Sequence, residues 1–291
     1  MANRKFFIAK VNIHGNIFSQ NLDELIKVHI PRVILNPEEI KINTWNWSFT
    51  DVANYVINDK NLIIGNVTKS KFKKQKFKDG GKTFLSVSEN ELAETAFFVY
   101  DPENELLVHQ SNTSISAPEF RNFFTRLLSR DTYVGEVIIN PIPIPYKIKD
   151  ELKSYDKITR IAFHLIHPNP GKKEFNLYNQ IIDGVQLKEL DIDMKNKDGI
   201  DIYEDESTEQ SNLNEVIEDG INLVEKGYGD IDINGYNETT IQGKRKPKKV
   251  KNIRKFKSSS SVRSIVVVDL DLDKTVDKIF NFMKDVLSKK V

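Results

Sequence analysis

Nine of the fourteen residues from Lys244 to Lys257 are Lys or Arg, and none is acidic. Lys244, Arg245, Lys246, Lys248, Lys249, Lys251, Arg254, Lys255 and Lys257 suit contact with a polyphosphate, because each cation brought to a phosphate releases a counterion and adds affinity without reading sequence. A second run, Lys69, Lys71, Lys73, Lys74, Lys76 and Lys78, is interleaved with Phe72 and Phe77 and closed by Asp79-Gly80-Gly81. Lysines at that spacing can follow a nucleic-acid backbone while the aromatics stack on bases. The competing reading of the second run is a solvated strand edge whose lysines block edge-to-edge pairing. For the first run it is a solubilising tract, or a cationic loop that neutralises the chain's own acids. Thirteen Asp or Glu lie between Glu189 and Glu225 against only Lys195 and Lys197, so a formal net charge of +1 conceals two polarised regions. Such polarity points to a partner: DNA or RNA, a protein, or a second copy of the chain.

Catalytic constellations are sparser. A Mg-dependent nuclease of the restriction type needs an acid followed by an acid-x-Lys triplet on a neighbouring strand, and Asp183 with Asp193-Met194-Lys195 has that spacing. In a chain carrying 42 acids such triplets also arise by chance on solvated faces. Asp269, Asp271 and Asp273 resemble a calcium loop in spacing, but Lys274 stands where its glycine belongs and Phe280 where its bidentate Glu belongs. Asp273 reads instead as a helix N-cap. The five histidines, His14, His29, His109, His164 and His167, fall into no zinc-ligand spacing, so no metal site is assigned. Nucleophile elbows, Walker loops and dinucleotide fingerprints are absent from the sequence. The expectation leans away from an enzyme, with no cofactor beyond Mg in the nuclease alternative.

The elements that must carry these residues follow from the hydrophobic pattern. At 291 residues and 39% hydrophobic content the chain can bury a core in one large or two modest domains. No apolar window approaches the roughly 18 residues of a membrane span, the N-terminus lacks a signal-peptide apolar run, and there is no cysteine, so a cytoplasmic protein without a membrane contact is expected. Phe6 to Ile13 reads as a strand and Asn21 to Ile30 as a short helix ended by Pro31. Thr44 to Phe77 holds two strands joined by a hairpin loop, Asn58-Asp59-Lys60-Asn61, and Glu91 to Gln110 a hairpin turning at Asp101-Pro102-Glu103-Asn104. Ser116 with Glu119 is a capping box opening a helix to about Arg130. A strand from Tyr133 to Ile139 precedes Pro141, Pro143 and Pro145, which hold an extended connector and place a boundary near residue 145.

In the second half, a short helix at Ile148 to Ser154 leads into a strand at Lys157 to Ile166. A helix at Glu174 to Asp183 and a strand at Val185 to Met194 then suggest a β-α-β unit. After an acidic loop, residues 198–209, a helix from Leu213 stops at Lys226-Gly227, and two short strands, YGDIDING and NETTIQGK, form a hairpin leading into a basic loop, residues 244–261. Ser258 to Ser261 reads as flexible chain. Val262 to Leu270 is expected as a central strand and Lys274 to Val286 as a terminal amphipathic helix.

The segment AETAFFVYDPENELLVHQSNTSIS with the helix beginning at Glu119 resembles members of uncharacterised bacterial domain families found in phage-defence and mobile-element loci, and the resemblance extends through IAFHLIHPNP and GYGDIDING. It implies an antiviral context and carries over no active-site residue. The combined expectation is an α+β protein of two lobes, 1–145 and 146–291, with mixed or mainly antiparallel sheets and a C-terminal amphipathic helix. Its expected function is that of a non-enzymatic nucleic-acid-binding component of a bacterial anti-phage system. The alternatives are a Mg-dependent nuclease effector and an assembly subunit that binds a partner protein.

Overall fold

The computed structural model describes residues 3–14, 21–168, 187–203, 212–242, 247–268 and 271–288. In chain order its strands are β1 (Arg4–His14), β2 (Ile40–Ile42), β3 (Trp45–Ile57), β4 (Lys60–Lys71), β5 (Lys74–Asp79), β6 (Lys82–Val87), β7 (Leu92–Asp101), β8 (Leu106–Ser111), β9 (Glu136–Pro141), β10 (Lys157–Ile166), β11 (Glu189–Lys195), β12 (Gly229–Gln242), β13 (Pro247–Lys257) and β14 (Ser264–Val267). Two compact units result. One comprises Met1–Ile139 with Ser264–Lys290, the other Asn140–Arg263. The class is α+β, and the pairings that define both main sheets are antiparallel.

In the first unit an eight-stranded sheet runs β14-β1-β8-β7-β4-β3-β2, with β9 also paired to β1. Period-two alternation in β1 sends Ala9, Val11 and Ile13 into one core, which Phe98 and Tyr100 of β7 share with Phe120, Phe124 and Leu128 of the helix Ala117–Leu128. Phe6 and Ile8 are also fully buried, as are Val276 and Ile279 of the C-terminal helix Leu272–Ser288, which packs on β8 and β14. The expected Ser116–Glu119 capping box is present in full. The β3–β4 hairpin turns at Asn58 and Asp59, both left-handed with φ of 48° and 61°, the geometry that suits the right-handed strand twist. The β7–β8 turn is held by Asp101, whose Oδ1 accepts the N–H groups of Glu103 and Asn104.

In the second unit a four-stranded sheet has the order β11-β10-β12-β13. The helix Glu215–Glu225 covers one face, burying Ile217, Ile221 and Val224 over β10 and β12. Gly220 lets it approach, since a Cβ there would meet the Phe163 ring at 2.7 Å.

Several expectations are corrected. Pro31 does not end its helix. A π turn, Leu25–His29, leads into Ile30–Leu35, and Pro31 occupies the first turn of that piece, where a missing N–H is tolerated. β10 and β11 pair antiparallel, so they are not a β-α-β unit, and the helix expected at Glu174 to Asp183 lies outside the described residues. YGDIDING and NETTIQGK are one continuous strand, β12. Gly235 is there for close approach, because the space a Cβ would take is filled by the Lys157 carbonyl oxygen and the Tyr155 ring, beside the register shift of β10 between Ile158 and Arg160. The basic segment from Pro247 to Lys257 is a strand paired along its length with β12. Ser258–Ser260 is a 3₁₀ turn rather than slack chain, with Ser258 buried and its hydroxyl donating to Asp230 at 3.2 Å while accepting from the Ile231 N–H. Among the described residues β14 pairs only with β1, so it is an edge strand and not a central one. Asp271 caps the last helix by accepting the Lys274 N–H at 3.0 Å, whereas Asp273 accepts the Tyr55 hydroxyl.

Candidate nucleic-acid interface

The second basic run separates into two parts with different surroundings. Lys69 and Lys71 end β4 against the core. Lys69 donates to the Ser114 carbonyl at 2.5 Å, pairs with Glu94 and Glu119 at 3.3 and 3.5 Å, and lies over Trp45 and Trp47. Lys71 sits 3.8 Å from the centre of the Trp45 ring. These two cations serve the fold. Beyond them the chain leaves the large sheet and folds back as β5–β6, a two-stranded sheet of its own. Asp79-Gly80-Gly81 makes the turn with Gly80 at φ +57°, and the Lys73 N–H and carbonyl bond Ser88 at the base.

Both faces of this hairpin meet solvent. The register places Phe77 opposite Phe84 on one face, their rings stacked at 5.8 Å, and Lys74, Lys76 and Lys78 opposite Val87, Leu85 and Thr83 on the other. Phe77 is 43% exposed, Phe84 50% and Leu85 59%. Lys73, Lys74, Lys76, Lys78 and Lys82 are exposed and have no acidic partner among the described residues. The arm thus combines free ammonium groups with solvent-facing rings. Sequence reasoning singled out Phe72 and Phe77 but not Phe84 and Leu85, which follow the Gly pair at the spacing of a returning strand.

The run at Lys244 to Lys257 is arranged differently. Lys244, Arg245 and Lys246 lie outside the described residues, as does the side chain of Lys248. The remaining cations are mostly engaged. Lys249 pairs with Glu238 at 3.1 Å and Lys257 with Asp232 at 3.0 Å. Lys251 donates to the Tyr236 hydroxyl, a bond that raises its pKa. Arg254 reaches Glu151 at 3.0 Å and lies over the Tyr155 ring. Lys255 alone among the described cations of β13 has no partner.

The acid-x-Lys triplet is tied up as well. Arg160 grips Asp193 through Nε at 2.8 Å and Nη2 at 3.3 Å, and Lys195 pairs with it at 2.6 Å. The bonds from Arg160 and then Lys195 hold the Asp193 carboxyl below its ordinary pKa. Asp183 lies outside the described residues, and among those described no group of three or more His, Asp or Glu is placed to hold a metal ion. The neighbouring His164–Asp191 pair, 2.7 Å apart, was not foreseen, because only the cross-strand register makes those residues neighbours. The buried His109 is stacked on Phe120 with ring centres 4.4 Å apart, and burial, then the Arg121 charge, lower its pKa to about 3, so it stays neutral. No helix among the described residues is long and apolar enough to cross a membrane.

None of the curated proteins compared with the chain matches it. The family described as "Domain of unknown function (DUF4747)" matches residues 8–268, a span that takes in the strands of both units and the exposed β5–β6 arm, and the chain belongs to that family.

Proposed function

We propose that this protein is a non-catalytic, single-strand-preferring nucleic-acid-binding protein whose contact is the β5–β6 arm. The observation that carries the reading is the arm's combination of five unpaired lysines with a solvent-exposed Phe77–Phe84 stack on a hairpin that has no core of its own. An isolated two-stranded hairpin is marginally stable in water, and exposed apolar groups in contact with one another commonly mark a binding surface. A single strand offers both complements, phosphates for the lysines and base faces for the rings. A duplex offers only the phosphates. Lys255 and the tract from Lys244 to Lys248 supply further positive charge on the second unit, while Lys249, Lys251, Arg254 and Lys257 contribute less because ion pairs and hydrogen bonds already engage them.

The test is a salt titration of binding to single-stranded DNA, RNA and duplex DNA. The wild type should bind single strands with a steep salt dependence, and Lys74→Gln, Lys76→Gln and Lys78→Gln together should flatten the slope by about 2 in log–log terms, at roughly 0.7 per phosphate contact. Absence of binding at low salt refutes the reading. A cytoplasmic anti-phage role belongs to the same proposal, and phage challenge of cells expressing wild type or the triple-Gln variant tests it. The nuclease alternative rests on Asp183, Asp193 and Lys195 and predicts Mg-dependent cleavage lost in Asp193→Ala.

A further inference from the structure

Among the described residues, the second unit's sheet has two unpaired edges of opposite net charge. At one end β11 carries Glu189, Asp191 and Asp193, with Lys195 at its end, on its solvent face, and at the other β13 carries Lys249, Lys251, Lys255 and Lys257, with Ile253 among them, on the same face of the sheet. We infer that this sheet extends head to tail between copies of the chain, with β11 of one copy pairing with β13 of the next.

Two features of the sheet support this. Strand direction matches: the order β11-β10-β12-β13 is antiparallel throughout, so a second copy in the same orientation presents its β11 antiparallel to the first copy's β13. Charge matches on the outer face, where Glu189, Asp191 and Asp193 of β11 come beside the lysine row of β13, and Glu189 and Lys255 have no ion-pair partner among the described residues of their own copy. The inner face is mixed, since half-buried Leu190, Ile192 and Met194 come beside a row of Val250, Asn252, Arg254 and Phe256, so charge on the outer face carries the selectivity. A one-residue slip would set acids against the inner row, so the pleat itself fixes the register to steps of two.

Lysine on an edge strand normally discourages pairing between edges. Here it discourages β13 from pairing with another β13 and favours an acidic edge, so the charge selects the mode of association. A contact between two different patches propagates into a ring or a filament and does not stop at a two-fold dimer. The contact lies wholly in the second unit and does not use the β5–β6 arm; of its residues only Lys255 is shared with the proposed nucleic-acid contact, and association in the absence of polynucleotide separates the two.

The test uses the full chain in two exposed charge-reversal variants, Lys251→Glu with Lys255→Glu, and Glu189→Lys with Asp191→Lys. Analytical ultracentrifugation of the wild type should show concentration-dependent species beyond the monomer. Each variant alone should associate roughly tenfold or more weakly, since like charges now face each other across the joint. An equimolar mixture should regain association, because each variant's altered edge complements an edge of the other, and this recovery also shows that both variants are folded. The sequence contains no cysteine, so a second readout is clean. Asp191→Cys mixed with Ile253→Cys should form an intermolecular disulfide on oxidation, while either alone should not. Four results overturn the inference: a wild type monomeric up to its solubility limit, a mixture that does not recover, cross-linking of Asp191→Cys with itself, or association only with added polynucleotide.

Discussion

Replacing Phe77 with Ala separates a binding role for the β5–β6 arm from a structural one. Phe77 is 43% exposed and its ring contact is with Phe84 across the hairpin, a kind of pair worth about 0.5–1.5 kcal/mol at most. The stability cost should therefore stay below about 1.5 kcal/mol, a fall of a few degrees at most in the melting temperature of the first unit. Phe124 is the internal comparison. It is fully buried, with ring centres 5.0, 5.2 and 5.7 Å from Phe49, Phe98 and Phe120, so Phe124→Ala should cost about 3–5 kcal/mol. Binding should rank the pair in the opposite order. If one base stacks on Phe77, Phe77→Ala loses about 1–3 kcal/mol, or roughly 5- to 150-fold in affinity for a single-stranded oligonucleotide followed by fluorescence anisotropy. Unchanged affinity with an intact fold refutes the stacking. A loss of several kcal/mol in stability refutes the description of the arm as lying outside the core.

Three further outcomes test the fold. Gly235→Ala should destabilise the second unit, measured by thermal denaturation, because the new methyl meets the Lys157 carbonyl and the Ile158 backbone, which cannot rotate away. Lys10 and Glu105 form a buried pair at 2.6 Å, so Lys10→Met should cost about 3–5 kcal/mol by leaving a buried carboxylate unpaired, and adding Glu105→Leu should recover much of it in urea titrations. His109 has its pKa lowered from 6.5 to about 3 in the folded protein, while the unfolded chain protonates near 6.5. Its contribution is complete above 6.5 and declines as pH falls towards 3, by about 1.4 kcal/mol per unit, a slope that His109→Phe should remove from pH-dependent denaturation curves.

Elements whose cause is local were legible. Ser116 and Glu119 specify the helix start because both partners lie within one turn, and Asn58-Asp59 specifies its hairpin because those residue types accept left-handed backbone. Misread elements depended on a distant neighbour. Gly235 resembles a turn until Lys157 and Tyr155 are seen to fill the space beside it, and Val262 to Leu270 resembles a core strand although its pairing ends at Val267 on the sheet's edge. Asp273 has the residue type of a cap, but its carboxylate accepts from Tyr55, 218 positions away, and Asp271 caps instead.

The sequence by itself determined the α+β class, most of the strands and helices, and the two places where positive charge concentrates, because composition and periodicity are properties of neighbouring residues. Only the tertiary structure decided which of those charges remain available. Density ranked Lys244 to Lys257 first, yet pairing with β12 brings Glu238 and Asp232 to Lys249 and Lys257, while Lys73, Lys74, Lys76, Lys78 and Lys82 of the β5–β6 arm form no ion pair among the described residues. A charge's availability depends on the partners that folding brings within a few ångströms, and cross-strand register, which sequence spacing does not encode, sets those partners.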